Sequence, residues 1–407
     1  VNRLNWDWTK LNVYVLDDSH RESIRELAER YAFHYIARED RGVMKKAGNI
    51  RNAFKQTSGE YIVIFDADFC PRPEFLFETV PYFIVDPNTA LVQTPQFFDV
   101  HKSMGWVERG AGSIQELFYR LIQVNRDHWQ GSICVGTNAV YRRAALEPFG
   151  GTYPIQHSED VHTGFSLVRS GWRLRYVPIV LAKGTCPEDM DAFFNQQYRW
   201  AMGSTSLLFN KALFWNTKLK PMTRMSYLSG MFYYSATGMG LLLTSLPGLC
   251  MVWLAPERIF YYNYLFSLPS FIFGVIIMGA WNRAPYGLAA VRARYVSYCA
   301  HLFAIVDRTF SRAMEWLPTG SVRRTSKPYR TAIIITTLAP AIAGAIGCVV
   351  NMGSVYNYHF YPYIFFTLFY TCLHLSCLIK PRYNSSNAQT TTVNNDGDSV
   401  MRHSRSA

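Results

Sequence analysis

Between Arg224 and Glu257 the chain carries no Asp, Glu, Lys or Arg, and the same is true between Arg258 and Arg283 and from Thr331 to Ile379. Soluble folds rarely need uncharged runs of that length, whereas the hydrocarbon core of a bilayer requires about 20 apolar residues per helical span. The third run is interrupted by NMGSVYNYHFYP, so four spans are predicted, near 227–253, 259–282, 331–351 and 359–379. A hydrophobic content of 49% with 15% aromatic residues agrees with a chain partly embedded in lipid.

Charge orients the chain. The loop 283–330 holds nine Arg or Lys against Asp307 and Glu315, which places it in the cytoplasm by the positive-inside rule. Two spans separate it from residues 1–217 and two more precede the tail, so all three share that side. Such loops account for the net charge of +12 better than nucleic acid does, because the basic residues are spread out and no nucleic-acid motif occurs. The eight cysteines form no CxxC pair and no zinc spacing, and read as reduced, packed thiols. The chain opens at Val1 in a loop leading to a strand, without a signal peptide, and reads as a fragment. The tail 381–407 is polar and is expected to be disordered.

Residues 1–217 alternate short β-rich runs with helical ones: LNVYVLDD, HRESIRELAERYAF, KAGNIRNAFKQT, EYIVIFDADF. That order predicts a parallel α/β sheet, which binds ligands beyond the carboxyl ends of its strands. Acidic residues at strand ends are therefore candidates. Asp17 and Asp18 can accept hydrogen bonds from a base or ribose, or can cap the helix that follows. In Asp66-Ala-Asp68 two carboxylates can hold one hard cation, Mg²⁺ or Mn²⁺, against a diphosphate, although such triplets also occur in solvated turns. Lys45 and Lys46 open a helix where they oppose its macrodipole, which an anion would offset; the alternative is a plain surface position. Glu159 and Asp160 begin another helix. A carboxylate there is expected to keep a low pKa and to serve as general base toward a hydroxyl, or Ser158 heads a capping box. QQYRW, Gln196 to Trp200, reads by itself as an interfacial anchor at the membrane surface.

Taken in order, Asp17-Asp18, the DAD at 66–68, the SED at 158–160 and QQYRW resemble the D, DxD, (T)ED and QxxRW signature of processive family-2 glycosyltransferases, with cellulose synthases and similar β-glucan synthases nearest by pattern. KAGN at 46–49, QTPQ at 93–96 and VGTN at 135–138 are similar to further segments of that family. The resemblance implies a GT-A catalytic domain over 1–217, an α/β, Rossmann-like nucleotide-diphospho-sugar transferase fold lacking its first strand. A membrane domain over 218–380 would follow, with a gating loop within 283–330. It implies a UDP-sugar donor, a divalent cation, a growing polysaccharide as acceptor and a multi-pass protein of the plasma membrane, with room for accessory subunits or a homo-oligomer. Residue by residue, Asp17 and Asp18 would hold the uridine, Asp66 the ribose side and the metal, and Asp68 the metal. Lys46, Gln196 and Arg199 would contact the diphosphate, and Asp160 would be the base. Trp200, Gly136, Thr137 and Glu159 would line the acceptor side. Polymerisation of a β-glucan from UDP-glucose is the expected activity; a chitin- or hyaluronan-type synthase using UDP-N-acetylglucosamine and a non-catalytic membrane scaffold are its rivals. Ser158 stands where the family has threonine, and WLPTG at 316–320 departs from the family's gating-loop pattern, so that loop is assigned by position.

Overall fold

A computed structural model describes residues 1–282, 287–312, 328–353 and 357–379. The soluble part holds nine short strands among its described residues, in three sheets. Strand β1 (Tyr14–Leu16) is followed by helix α1 (Glu22–Arg30) and by β2 (His34–Ile36), which pairs parallel to β1. Helix α2 (Lys45–Gln56) leads to β3 (Tyr61–Ile64), and a turn containing Asp66 to Asp68 passes the chain to β4 (Phe69–Pro71).

The central sheet has the order β3-β7-β5-β8, where β5 is Thr89–Gln93, β7 Ala139–Arg142 and β8 Arg173–Tyr176. β5 is buried along its whole length, as its near-continuous apolar run requires. The wholly parallel sheet expected from the sequence holds for β1 with β2 and for β5 with β8, but β7 runs antiparallel to both neighbours. The reason lies in the connection: between β5 and β7 the chain makes β6 (Phe97–Phe98) and helix α3 (Trp106–Leu117), then re-enters the sheet at the same end where β5 left it. Ala139, the first residue of β7, therefore pairs with Ile64 and Gln93, the last residues of β3 and β5. The loop entering β7 is thus delivered to the carboxyl ends of the other strands. β9 (Ala182–Gly184) joins β4 and β6 in the third sheet.

β1 and β3 do not pair; a cavity of about 1130 Å³ lies between them, walled by Tyr14, Leu16, Phe54, Ile62 and Val63 and reaching Asp18, Lys46 and Asp66.

Helices α4 (Glu159–Arg169) and α5 (Met190–Ser206) follow β7 and β9 in the chain. α6 (Pro221–Leu243) and α7 (Leu246–Leu254) then form one apolar stretch long enough to cross a membrane, and the stretches Tyr329–Val350 and Tyr358–Leu378 do the same. The fourth expected span, 259–282, is a string of short helical pieces, with a 3₁₀ turn at Tyr261–Phe266 and a π segment at Ile272–Ile277. Pro269 lies between them in the first turn of the next helical piece, where its missing backbone donor is tolerated. Helix α8 (Leu288–Thr309) buries one long stripe in the protein. Ala289, Ala293, Val296 and Ala300 share one apolar cluster with Trp106 and Val107 of α3 and with Phe193, Phe194 and Ala201 of α5. Burying each Phe side chain is worth about 1.5–3 kcal/mol, so this cluster fixes α5 firmly. The proposed gating segment around Glu315 to Thr319 and the tail 381–407 lie outside the described residues.

Candidate active site

The carboxyl end of β3 is where the chemistry gathers. The Phe69 amide donates to the Asp66 carbonyl (3.0 Å), which closes the DAD turn, and the Asp66 amide donates to the Thr137 hydroxyl (2.8 Å). Lys46, the second residue of α2, donates through Nζ to the Asp66 carboxylate and to the Gly136 carbonyl (2.8 Å). Burial works against the Lys46 charge, but Asp66 next to it, with Glu159 and Asp160 beyond, holds its pKa above the ordinary lysine value. The lysines at the start of α2 thus oppose the macrodipole for a local reason: the carboxylates facing Lys46 compensate it. Asp68 is shifted upward, by burial and then by the neighbouring Asp66.

The loop ahead of β7 is held by one buried side chain. Gln93 Nε2 donates to the carbonyls of Thr94 (2.9 Å) and Thr137 (2.8 Å), while its Oε1 accepts from the Val135 amide (3.0 Å). Thr137 is fully buried, and its hydroxyl is spent on the DAD turn rather than turned to an acceptor. Gly136 backs onto Asp160: a Cβ placed there would lie 3.0 Å from both Cβ and Oδ2 of that residue. One residue therefore touches Lys46 through its carbonyl and Asp160 through its α-carbon.

Asp160 does not keep the low pKa expected of a carboxylate at a helix N-terminus. Its Oδ1 accepts the Val161 amide (2.8 Å), but burial, and after it the charge of Glu159, push its carboxyl up to about 7. Glu159 is itself buried and raised, first by burial. The desolvation of two adjacent acids outweighs the helix dipole. Nor does Ser158 head a capping box: it sits in the left-handed region (φ 52°) and makes no capping hydrogen bond.

What holds Ser158 there is α5. Gly203 packs so closely against it that a Cβ on residue 203 would lie 1.6 Å from Ser158 Oγ and 2.2 Å from its Cβ. Gln196, Arg199, Trp200 and Gly203 are spaced i, i+3, i+4 and i+7, so they form one stripe of α5, the stripe that meets the SED loop. Gln196, Arg199 and Trp200 are half-buried, and burial pulls the Arg199 pKa below its ordinary value. The other face carries Phe193, Phe194, Gln197, Tyr198 and Ala201, all buried, with the Tyr198 hydroxyl donating to Asp307 of α8 (2.9 Å). QQYRW is accordingly part of a helix packed into the protein by its opposite face.

On the other wall, Asp17 and Asp18 part company. The Asp17 carboxylate accepts the amides of Ser19 and Arg21 (2.9 Å each) and the Tyr35 hydroxyl (3.2 Å); burial raises its pKa, but these donors win and hold it low. Asp18 lines the cavity and is gripped by Arg38, whose Nε and Nη2 reach its two oxygens at 2.7 and 2.6 Å. The structure thus brings Lys46, Asp66, Asp68, Gly136, Glu159 and Asp160 around one crevice. Asp18 stands at its rim and the α5 stripe beneath Ser158. Sequence reasoning missed Arg38, which carried no signal, and Gly203, whose place inside a helix was a flag.

Among the described residues no cluster of three or more His, Cys, Asp or Glu is arranged to hold a metal ion unaided. Asp66 and Asp68 nevertheless fit a hard divalent cation: they are oxygen donors close enough for one to raise the other's pKa, and a diphosphate would supply further ligands.

Residues 61–280 match the family described as glycosyl transferase family group 2. The chain is 36% identical over 225 residues to the UDP-forming cellulose synthase catalytic subunit of Pseudomonas fluorescens (strain SBW25), covering 53% of this chain and 30% of that protein. It is 35% identical over 234 residues to the UDP-forming cellulose synthase 1 catalytic subunit of Komagataeibacter xylinus, covering 56% and 31%. The match thus spans less than a third of each relative. Among solved structures, a mannosyltransferase from Pyrobaculum calidifontis in complex with GDP-Man and Mn²⁺ superposes with a TM-score of 0.55 at 18% identity, covering 76% of this chain and 81% of that one, which shows a shared fold.

Proposed function

Because the chain belongs to glycosyl transferase family group 2, we propose that it is the core of a membrane-bound, processive, inverting glycosyltransferase that builds a β-glucan from UDP-glucose and passes it across the membrane. The observation that carries this reading is the meeting, across Gly136, of a raised and buried Asp160 with the Lys46–Asp66 pair. An acid–base group and a lysine–carboxylate pair stand on two sides of one residue. The continuity of this site, through α5, with apolar helices of membrane length supports the coupling to translocation.

The donor lies in the crevice with its uridine toward Asp18, on the turn that Asp17 shapes, and its diphosphate toward Lys46, Gln196 and Arg199. An acceptor hydroxyl positioned near Trp200 attacks the anomeric carbon from the face opposite the diphosphate. As the new C–O bond forms and the bond to the phosphate oxygen breaks, the hydroxyl proton passes to the Asp160 carboxylate. A carboxyl raised to about 7 suits that task, since a substantial share is ionised near neutral pH and it is basic enough to take the proton. The leaving UDP gathers negative charge, which Lys46 and Arg199 offset in a site already shielded from water. Asp66 and Asp68 would hold Mg²⁺ or Mn²⁺, whose charge neutralises the diphosphate when bound. Trp200 offers the sugar's C–H face a flat apolar platform that grips without trapping. The catalytic part faces the cytoplasm of a plasma-membrane protein, where UDP-sugars are available.

The test is UDP release and polymer formation by the membrane-embedded protein given UDP-glucose or UDP-N-acetylglucosamine, with the product challenged by a β-glucanase and a chitinase. UDP-glucose should yield UDP and a glucanase-sensitive polymer, both abolished by a chelator. A chitinase-sensitive product from the other donor would replace the substrate assignment, and no UDP from either donor would overturn the enzymatic reading.

A further inference from the structure

The backbone that presents Lys46 is strained. Met44 and Lys45, neither of them glycine, follow one another with φ of 52° and 49°, in a region that side chains other than glycine seldom adopt. Such a pair persists only where the surroundings over-determine it, and strain of this kind gathers at functional sites. Here one side chain grips the turn from both sides. Arg38 Nη1 donates to the Val43 carbonyl (2.8 Å) and Nη2 to the Lys45 carbonyl (3.0 Å), on either side of Met44. The same guanidinium forks onto Asp18, and its side chain is only 2% exposed. Gly48 makes room for it: a Cβ on residue 48 would lie 2.3 Å from Arg38 Nη1.

We propose that Arg38 is a positioning residue of the donor site, which ties the base-side carboxylate of Asp18 to the strained 43–45 turn and so sets the distance between Asp18 and Lys46. The inference rests on the donor-site reading above. A nucleoside diphosphate must be met at both ends at once, by a group for the base and a group for the phosphates. Those two groups come from different elements, the β1–α1 turn and the start of α2, and the Arg38 guanidinium bonds to both. A planar fork with five donors can clamp a carboxylate and two carbonyls together; a lysine ammonium, a point charge, cannot reproduce that geometry. Arg38 touches neither the sugar nor the diphosphate in this reading, and acts through Asp18 and Lys46.

The experiment is a double-mutant cycle on the full-length, membrane-embedded protein, read as kcat/KM for UDP release from UDP-glucose in the parent, Arg38→Lys, Lys46→Met and the double variant. Arg38→Lys should lower kcat/KM at least tenfold in the parent but less than about threefold once Lys46 is gone, because its effect passes largely through that lysine. Independent factors that simply multiply would point to general destabilisation and overturn the proposal, as would an unchanged Arg38→Lys enzyme. Hydrogen exchange supplies a readout free of activity: amides of residues 43–48 should lose at least tenfold protection in Arg38→Lys while those of β5 and β7 keep theirs. Unchanged protection at 43–48 would sink the assignment. If Arg38→Lys fails to fold, Arg38→Gln, which removes the planar fork and leaves Asp18 and its own contacts in place, should show the same pattern in the cycle, and multiplying factors there would again refute it. If the parent releases no UDP, the functional reading fails while the exchange data still decide whether Arg38 holds the turn.

Discussion

The contact between Gly203 and Ser158 allows the position of the base to be tested by adding one carbon. In Gly203→Ala the new methyl would lie 1.6 Å from Ser158 Oγ and 2.2 Å from Ser158 Cβ, well inside van der Waals contact. α5 cannot yield easily, because Phe193, Phe194, Tyr198 and Ala201 anchor its opposite face. The SED loop must move instead, and Glu159 and Asp160 with it. Overpacking of this kind costs about 1–3 kcal/mol, and a catalytic group displaced by about 1 Å loses about 100-fold in rate. UDP release by Gly203→Ala should therefore fall about 100-fold while the protein still inserts and folds. The rescue discriminates. Ser158→Ala removes only the oxygen and leaves the carbon at 2.2 Å, so it should not restore the Gly203→Ala enzyme. Ser158→Gly removes both atoms and also suits the left-handed φ of 52°, so the Ser158→Gly/Gly203→Ala double variant should recover to within about tenfold of the parent. A Gly203→Ala enzyme of full activity, or equal rescue by Ser158→Ala and Ser158→Gly, would refute the reasoning.

Asp160 should govern the acid limb of kcat/KM, with activity falling about tenfold per pH unit below a midpoint near 7, because only its ionised form accepts the proton. The linked effect on stability has the opposite sense. A carboxyl raised from an ordinary value of 3.8 stabilises the fold fully below that pH and loses the contribution as pH rises through about 7, so inactive Asp160→Asn should melt higher than the parent at pH 8. Equal melting temperatures there would contradict the burial argument. Lys46→Met should lower kcat by about 10²–10³, the usual loss when one donor to a developing anion is removed, as measured by UDP release. Thr137→Val leaves the Asp66 amide without its acceptor and should destabilise the protein by about 1–3 kcal/mol in denaturant unfolding, while Thr137→Ser, which keeps the hydroxyl, should stay close to the parent.

The sequence alone determined what depends on neighbours along the chain. Uncharged runs long enough for a bilayer, acids at the ends of apolar strands, and the order of DAD, SED and QQYRW can all be seen without a fold, because hydropathy and motif spacing are local properties. The short-range rules failed where a local signal met a long-range contact. The apolar composition of 259–282 reads as one span but does not fix the 3₁₀ and π pieces it folds into, and the partners of the buried stripe of α8, in α3 and α5, lie far off in sequence. The state of the proposed catalytic groups was decided by tertiary structure alone. The N-terminus of a helix argues for a low pKa at Asp160, but burial beside Glu159 reverses the sign. Thr137 reads as an acceptor contact until the antiparallel β7 carries its hydroxyl to the Asp66 amide. Arg38 reads as an unremarkable basic residue until the fold places Asp18 and the 43–45 turn within reach of one guanidinium. Each of these depends on which distant groups share a dry space, and that is fixed only when the chain closes on itself.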